Sequence, residues 1–216
     1  MKKKSVAVVI LTNGPGELST WVRPVVDHLN KINDSFLSHE RFEFSLRLVL
    51  VPCPNATGKE FEVATSWNKF ELITRSKTFW KLLIKPSSFA NWPKEGVVIF
   101  LGGDQLWSVL LAKRLGYLNI TYAEWISRWP QWTDTIAAMN GKVKNLIPKK
   151  YRYKCKIIGD LMADIQLESE INTKNIEKKY IALLPGSKKA KLSVGIPFFL
   201  EMADRIAAEN NNINFI

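Results

Sequence analysis

Residues 6–17 read VAVVILTNGPGE, an apolar run that ends in a polar turn containing two glycines. An uninterrupted run of aliphatic residues is typical of a strand buried on both faces, as in a parallel sheet. Glycines at the end of such a strand let the backbone approach a ligand, and the helix that follows offers free N–H groups. The stretch therefore predicts the first strand of an α/β fold, with a ligand-binding turn at its carboxyl end.

Similar runs recur along the chain and alternate with helical patterns. Two stretches carry apolar residues at helical spacing, residues 17–30 and 105–115, and the second ends on Gly116 as a C-terminal cap. This alternation predicts a doubly wound parallel sheet with helices on both faces, a Rossmann-like α/β domain. The further strands are predicted at residues 46–51, 97–101, 119–122, 143–147 and 156–158.

A second domain is predicted after a change in composition. The sequence becomes polar over residues 168–179, and a new strand-turn-helix pattern begins at Tyr180. We therefore expect a first domain over residues 1–165, a linker over 166–179 and the start of a second α/β domain over 180–216. A unit of about 40 residues buries too little apolar surface to fold alone, so we expect the chain to be a fragment of a longer protein.

Charge and cysteine content narrow the class of protein. The 216 residues carry a formal net charge of +11, and seven basic residues and no acid lie between Lys142 and Lys156. Such a run favours an anionic partner, or it is a solvated edge with no partner. The two cysteines, Cys53 and Cys155, and the absence of a secretory signal predict a cytoplasmic protein.

The glycine-rich turn is the first candidate binding element. We predict substrate contacts there from Asn13, Gly14, Gly16 and Ser19, although a tight strand-to-helix turn would also need the glycines. The turn is not a dinucleotide fingerprint, because Ser19 stands at the position of the third glycine. Nor do residues 57–60 form a P-loop, since Glu60 replaces the required Ser or Thr.

A second candidate follows the strand predicted at residues 97–101. There Gly102, Gly103 and Asp104 place a carboxylate at a strand end, at the same edge of the sheet as Glu17. Asp104 and Glu17 are the predicted catalytic pair, one acting as base and the other orienting. Asp104 also suits the N-cap of the next helix, and the two roles are compatible.

Two segments that are rich in aromatic residues each have two possible interpretations. Residues 74–85 mix basic and large apolar side chains, which favours either a helix at an anionic membrane surface or a core helix with extended lysines. The membrane contacts would be Lys77, Phe79, Trp80, Lys81 and Leu83. Trp125, Trp129 and Trp132, with Arg128, would stack on a sugar or base, or pack internally. The two histidines have no partners at ligand spacing, so no metal and no cofactor is expected.

Four short motifs, taken in order, resemble the lipid-A-disaccharide synthase family of glycosyltransferases, which have the two-domain GT-B fold. Its Gly-Glu-x-Ser turn is similar to residues 16–19 and its Asp-bearing loop to residues 103–104. Its domain-linking segment is similar to Ile158-Gly159 with Asp164, and its Leu-Leu-Pro-Gly-Ser turn to residues 183–187. The chain departs from the family pattern at Trp21, Asp160, Leu161, Lys188 and Lys191, as a divergent branch would.

The resemblance implies an inverting hexosyltransferase that moves a sugar from a UDP-sugar to a lipid-type acceptor at the cytoplasmic face of the inner membrane. It implies that the first domain holds the acceptor, with Asp104 as base and Glu17 beside it. It also implies that the second domain holds the nucleotide-sugar through Gly186, Ser187 and Lys188. Two alternatives stay open: a UDP-sugar epimerase on the same fold, and a non-enzymatic basic module that binds anionic membrane or nucleic acid, although nucleic acid is not the expected partner.

Overall fold

The computed structural model describes residues 4–36, 42–54, 56–164, 179–186, 189–210 and 212–216. It divides into two compact units, Met1–Gln166 and Leu167–Ile216. Each unit is an α/β structure, so the predicted fold class is confirmed.

The first unit is built on a seven-stranded parallel sheet in the order β3-β2-β1-β4-β5-β6-β7. Its strands are β1 Lys4–Thr12, β2 Phe42–Leu50, β3 Leu72–Thr74, β4 Glu95–Phe100, β5 Leu118–Ala123, β6 Thr135–Ala138 and β7 Cys155–Ile157. Its helices are α1 Pro15–Glu17, a π-helical turn Leu18–Val22, α2 Arg23–Phe36, α3 Glu60–Ser66, α4 Phe79–Ile84, α5 Gln105–Leu115 and α6 Gly141–Leu146.

The order of the strands creates a topological switch point. From β1 the chain moves outward through β2 and β3, and then returns to place β4 on the other side of β1. The connections that leave β1 and β4 therefore diverge, which opens a crevice at the carboxyl ends of these two strands. The glycine-rich turn and the Asp104 turn follow these strand ends.

The two faces of the sheet form separate apolar cores. On one face Val9, Leu11 and Val49 pack with Phe79 of α4 and Leu111 of α5. On the other face Val8, Ile10 and Leu48 pack with the π-helical turn and α2 through Val22 and Val26. Successive side chains of a strand point to opposite faces, so a strand covered on both sides has to be apolar at every position.

The first helical region differs in detail from the prediction over residues 17–30. It runs from Pro15 to Phe36 and includes one π-helical turn, in which the backbone N–H of Arg23 donates to the carbonyl of Leu18. Pro24 follows directly and has no N–H to donate, so the irregular turn lies where a regular helical hydrogen bond would be missing.

One predicted strand is wrong. Residues 143–147 lie mostly in helix α6, whose N-cap Asn140 accepts a hydrogen bond from the backbone N–H of Val143 at 3.1 Å. Val143 in α6 and Ile147 at its C-cap are both buried and lie four residues apart, so the short apolar pattern has helical spacing. Short strands β3 and β6 were not predicted, because three and four residues are too few to show a period.

The second unit contains β8 Lys179–Ile181, α7 Lys189–Glu209 and β9 Ile213–Phe215, with β8 and β9 paired in parallel. The pairing confirms the strand predicted at Tyr180. Helix α7 carries Pro197 in its interior. Within the described residues, no helix is both long enough and apolar enough to cross a membrane.

Candidate functional site

The candidate site lies at the switch point, where the chain leaves β1 and β4. The backbone N–H of Leu101 donates to the carbonyl of Leu11 at 2.8 Å, and that of Val51 donates to the carbonyl of Thr12 at 2.9 Å. These bonds align the ends of β1, β2 and β4. The two turns that the sequence selected are therefore brought to one edge of the sheet.

The first turn is covered by its own carboxylate. A β-carbon built on Gly14 would lie 2.1 Å from Oε2 of Glu17, so the Glu17 side chain folds back over Gly14. A β-carbon on Gly102 would lie 2.8 Å from Oγ1 of Thr12 and 3.0 Å from the β-carbon of Glu17. The two glycine turns pack against each other through Glu17, and a β-carbon at Gly14 would displace the Glu17 carboxylate.

Gly103 needs to be glycine for two reasons. Its φ is +99°, a backbone conformation that L-residues rarely adopt, and a β-carbon there would lie 2.8 Å from a methyl group of Val51. The same position is 3.3 Å from the side-chain amide of Asn13. Predicted binding residues Asn13, Gly14 and Gly103 are thus brought together, whereas Gly16 and Ser19 lie exposed on the helical side of the turn.

Two polar atoms at the end of β1 are buried without a hydrogen-bond partner in the described structure, Oγ1 of Thr12 and Oδ1 of Asn13. Leaving a buried polar atom unpaired costs roughly 1–3 kcal/mol, so such atoms are uncommon unless a ligand uses them. The sequence reasoning missed Thr12. The available signal was a hydroxyl residue at the last position of an otherwise apolar strand.

The two candidate catalytic carboxylates have different surroundings. Asp104 is exposed and caps α5, because its Oδ1 accepts the backbone N–H of Leu106 at 2.9 Å. Glu17 is half-buried, and its carboxylate makes no hydrogen bond within the part of the chain that the structure describes. The capping role expected as an alternative for Asp104 is therefore present, and it leaves the second carboxylate oxygen unused.

Trp21 and Tyr122 extend the site on the side of α2. Their rings meet edge to face with centroids 5.3 Å apart, and Leu161 donates its backbone N–H to the Tyr122 hydroxyl at 3.5 Å. Burial, with the nearby charges of Asp160 and Glu124, raises the pKa of Tyr122. The segment after β7 therefore lies beside the ends of the central strands. Trp21 takes part in this packing, at the position where the lipid-A-disaccharide synthase family has an acidic residue.

The connection after β5 exposes large side chains next to Asp104. Gln105 donates through Nε2 to the carbonyl of Ile126 and accepts the backbone N–H of Arg128, both at 2.7 Å. Trp129 stacks on Trp132 with ring centroids 5.2 Å apart. Trp129 is half-buried, whereas Trp132 and Trp125 are 56% and 75% exposed, so the internal packing expected as an alternative does not apply to these last two rings.

The loop that precedes α3 is closed by its own acid. The carboxylate of Glu60 accepts the backbone N–H groups of Thr57 and Gly58 at 2.7 and 2.9 Å, and the Thr57 hydroxyl at 3.0 Å. Burial alone would raise the pKa of Glu60, but these hydrogen bonds hold it below its ordinary value. The loop's N–H groups are thus occupied by a carboxylate, in agreement with the prediction that it is not a P-loop.

Part of the basic run between Lys142 and Lys156 stabilises the fold. Arg152 donates to the carbonyls of Asn145 and Ile147 at the end of α6, and Lys154 donates to those of Pro130 and Thr133. Positive groups at a helix C-terminus pair with its unsatisfied carbonyls. These two residues are therefore structural, while Lys142, Lys149 and Lys156 are exposed.

The predicted membrane segment divides between core and surface. Phe79 is completely buried and Leu83 packs against the same core, so membrane contact through Phe79 is wrong. Phe79 faces inward because α4 covers the sheet and presents one apolar side to it. Lys77, Trp80 and Lys81 lie on the exposed side, and Trp80 is 51% exposed.

In the second unit the predicted donor-binding residues are only partly described. Gly186 has φ +96°, and a β-carbon there would lie 3.3 Å from the β-carbon of Lys191. Gly186 thus forms the turn that leads into α7. Ser187 and Lys188 lie outside the described residues.

Metal coordination has no candidate in residues 4–36, 42–54, 56–164, 179–186, 189–210 and 212–216. Within these ranges no group of three or more His, Cys, Asp or Glu side chains is placed to hold an ion. Expectations about metals and cofactors stay predictions.

Comparison with known proteins gives similarity of structure only. No protein-family model matches the chain. No curated protein sequence matches it either. Three solved structures are similar: MnaA from S. aureus in complex with UDP (13% identity, TM-score 0.55), a protein from Listeria monocytogenes described as a UDP-N-acetylglucosamine 2-epimerase (11%, 0.59), and UDP-GlcNAc 2-epimerase from Methanocaldococcus jannaschii (14%, 0.57).

Each of these structures covers 98% of this chain, and the chain covers 61%, 61% and 65% of their lengths. The chain therefore spans less than two thirds of these proteins. Identities this low establish a shared GT-B-like Rossmann fold and no more. The resemblance to lipid-A-disaccharide synthase is not supported by these comparisons.

Proposed function

We propose that this chain is part of an enzyme that acts on a UDP-sugar, and that the switch-point site receives the sugar. The observation that carries the proposal is the unpaired state of Oγ1 of Thr12 and Oδ1 of Asn13 beside the Glu17 carboxylate. A hydroxyl, an amide and a carboxylate together match the hydroxyl groups of a sugar. The similar fold of UDP-sugar epimerases supports the same substrate class.

The position of Glu17 argues against a phosphate on the first turn. A helix N-terminus after a glycine turn is ordinarily a good phosphate site, because free N–H groups and the helix dipole attract an anion. Here the Glu17 side chain covers Gly14, and its negative charge would repel a phosphate bound at the same turn. A neutral group that donates a hydrogen bond to Glu17 fits this turn better.

Epimerisation of the sugar is the leading reaction. Inverting a carbon of a sugar requires a proton to leave one face and return to the other, so it needs groups that exchange protons near the ring. Glu17 is not engaged in a hydrogen bond in the described structure and is free for this role. Asp104 retains one carboxylate oxygen for a second role, because only Oδ1 caps α5.

Transfer of the sugar to an acceptor is the second candidate. It is favoured by the ordered set of motifs shared with glycosyltransferases, in which Asp104 would remove the proton of the acceptor hydroxyl. Peripheral contact with an anionic membrane belongs to this candidate. Trp80 and Ile84 are exposed one helical turn apart on α4, with Lys77, Lys81 and Lys85 beside them.

The test uses the full 216-residue chain with UDP-GlcNAc in deuterated water. An epimerase incorporates deuterium into the sugar and forms an epimeric UDP-sugar without any acceptor, whereas a transferase forms product only when a glycolipid acceptor is added. Glu17→Gln should abolish either reaction. Saturation-transfer NMR reports binding separately, with ADP-ribose as control. Equal saturation transfer to UDP-GlcNAc and ADP-ribose would contradict the proposed substrate class.

A further inference from the structure

The connection that follows β5 carries a second surface at the edge of the site. Trp125, Ile126 and Arg128 are all exposed and are separated from the end of β5 by only a few residues. We refer to these three residues as the Trp125 platform. Trp125 and Ile126 are 75% and 46% exposed, an arrangement of large apolar side chains that commonly marks a binding surface.

The platform is fixed to the candidate catalytic edge by one side chain. The amide of Gln105 donates to the carbonyl of Ile126 and accepts the backbone N–H of Arg128. Gln105 directly follows Asp104, so both hydrogen bonds tie the platform to the N-terminus of α5. Because both polar atoms of the Gln105 amide are hydrogen-bonded to the backbone of this loop, the side chain is restricted to one rotamer.

The far end of the same loop is also fixed. Lys154 donates to the carbonyls of Pro130 and Thr133 at 3.2 and 2.8 Å, and the Thr133 hydroxyl donates to the carbonyl of Trp129 at 3.0 Å. The exposed side chains are therefore presented by a loop that is hydrogen-bonded at both ends. Preorganised aromatic side chains lose little conformational entropy when they bind a ligand.

The polar groups of the loop indicate what kind of ligand fits. Oγ of Ser127 and Nε1 of Trp129 are buried without a hydrogen-bond partner in the described structure, and the Arg128 guanidinium makes no ion pair there. A hydrocarbon chain would satisfy none of these groups. A sugar offers hydroxyl groups for the first two, a flat C–H face for an indole, and, when phosphorylated, an anion for the arginine.

We propose that the Trp125 platform binds the pyranose ring of a sugar phosphate, with the ring stacked on Trp125 and the phosphate paired with Arg128. This inference rests on the proposed function, because it gives the sugar a second contact surface next to Asp104. The same chemistry belongs to the sugar of a UDP-sugar and to an acceptor sugar phosphate. The experiment therefore includes one probe of each kind.

The test follows the indole N–H resonances of the full chain by NMR, since eight tryptophans give eight resolvable signals. Glucosamine 1-phosphate, UDP-GlcNAc, methyl glucoside and UMP are titrated in turn. We expect the Trp125 signal to shift with each probe that contains a pyranose ring and to stay unchanged with UMP, whose only sugar is a ribofuranose. A shift with glucosamine 1-phosphate at lower concentration than with UDP-GlcNAc identifies an acceptor site, and the reverse order identifies a donor site.

Two variants distinguish the contribution of stacking on Trp125 from that of the Arg128 charge. Trp125→Ala should weaken binding of glucosamine 1-phosphate by about tenfold, a typical loss for one stacked ring. Arg128→Gln should weaken binding of glucosamine 1-phosphate and leave binding of methyl glucoside unchanged. Trp80→Ala is the matched control, because Trp80 is an exposed tryptophan (51%) on α4 and lies outside the platform and its loop.

Two outcomes would overturn the proposal that the Trp125 platform binds a sugar phosphate. One is an equal shift of the Trp125 signal with UMP, which would show that the surface does not need a pyranose; the other is the absence of a shift with all four probes. If UDP-GlcNAc is bound and converted while Trp125→Ala changes neither, the platform fails and the proposed function stands. If no probe binds anywhere on the chain, both fail.

Discussion

The carboxylate of Glu17 lies over Gly14, so closely that a β-carbon on Gly14 would be 2.1 Å from Oε2. The relationship ties the first turn of the fold to a half-buried acid. It also means that a small change at Gly14 moves a carboxylate without altering the sheet.

Gly14→Ala should displace Glu17 and weaken sugar binding by tenfold or more. The cost in unfolding free energy should stay below about 1 kcal/mol, because the clash is with the end of a flexible side chain and φ of Gly14 is an ordinary −112°. The matched control is Gly16→Ala, since a β-carbon there meets no atom within 4 Å. Urea unfolding and a binding titration measure the two effects. Unchanged affinity in Gly14→Ala would remove Glu17 from the site.

Gly103→Ala should destabilise the protein more than Gly116→Ala. Both glycines have positive φ, +99° and +72°, but only Gly103 faces a close atom, the Val51 methyl at 2.8 Å. We expect a loss of about 1 kcal/mol for Gly116→Ala from backbone strain and about 2–4 kcal/mol for Gly103→Ala, because steric overlap is added. Equal losses, measured by urea unfolding, would show that the Asp104 turn moves freely away from β2.

Asp104→Asn and Asp104→Ala separate capping from catalysis. Asparagine can still accept the N–H of Leu106, so its unfolding free energy should match that of the parent protein, while alanine should lose about 1 kcal/mol. If Asp104 takes part in the reaction, both variants lose turnover of UDP-GlcNAc. Full turnover in Asp104→Asn would leave the residue a helix cap only.

The Glu60 loop should make stability depend on pH. Burial would raise the pKa of Glu60, but the hydrogen bonds from Thr57 and Gly58 hold it below the ordinary 4.5. The ionised form is therefore favoured in the folded state. Its stabilisation is complete above the unfolded pKa and disappears as the pH falls through the folded pKa.

Glu60→Gln should consequently flatten the fall in unfolding free energy between about pH 6 and pH 3. Denaturant unfolding at several pH values measures this slope. Glu43→Gln, at an exposed position of β2, is the control and should keep the parent slope. A parallel displacement of the Glu60→Gln curve, with no change of slope, would contradict the assignment.

The central strands could be predicted because each carries enough residues to show a pattern. Residues 6–11 and 97–101 are apolar at every position and residues 119–122 alternate polar with apolar; the three stretches lie in β1, in β4 with the residue after it, and in β5. Residues 143–147 include Lys144 and Asn145, and the cap at Asn140 with two buried residues four apart, Val143 and Ile147, makes them helical. Five residues do not distinguish a buried strand from one turn of helix, because both bury their apolar positions.

The sequence does not show which residues of α4 face the core and which face the solvent. Phe79 and Trp80 are adjacent, similar in polarity and flanked by the same lysines, but one is buried and the other is exposed. Which side of a short helix faces inward depends on the position of the sheet beneath it. That position is set by residues distant in sequence.

The sequence alone determined the parallel sheet and the positions of the glycine turns after β1 and β4, because local apolar runs and φ-permissive glycines encode them. Only the tertiary structure decided that Glu17 covers Gly14, that Thr12 and Asn13 hold unpaired polar atoms, and that Gln105 ties the Trp125 platform to Asp104. These features depend on how side chains are placed once the strands have paired, and the tie from Gln105 joins two separate connections. They depend on the order in which the strands pair, which no short stretch of sequence contains.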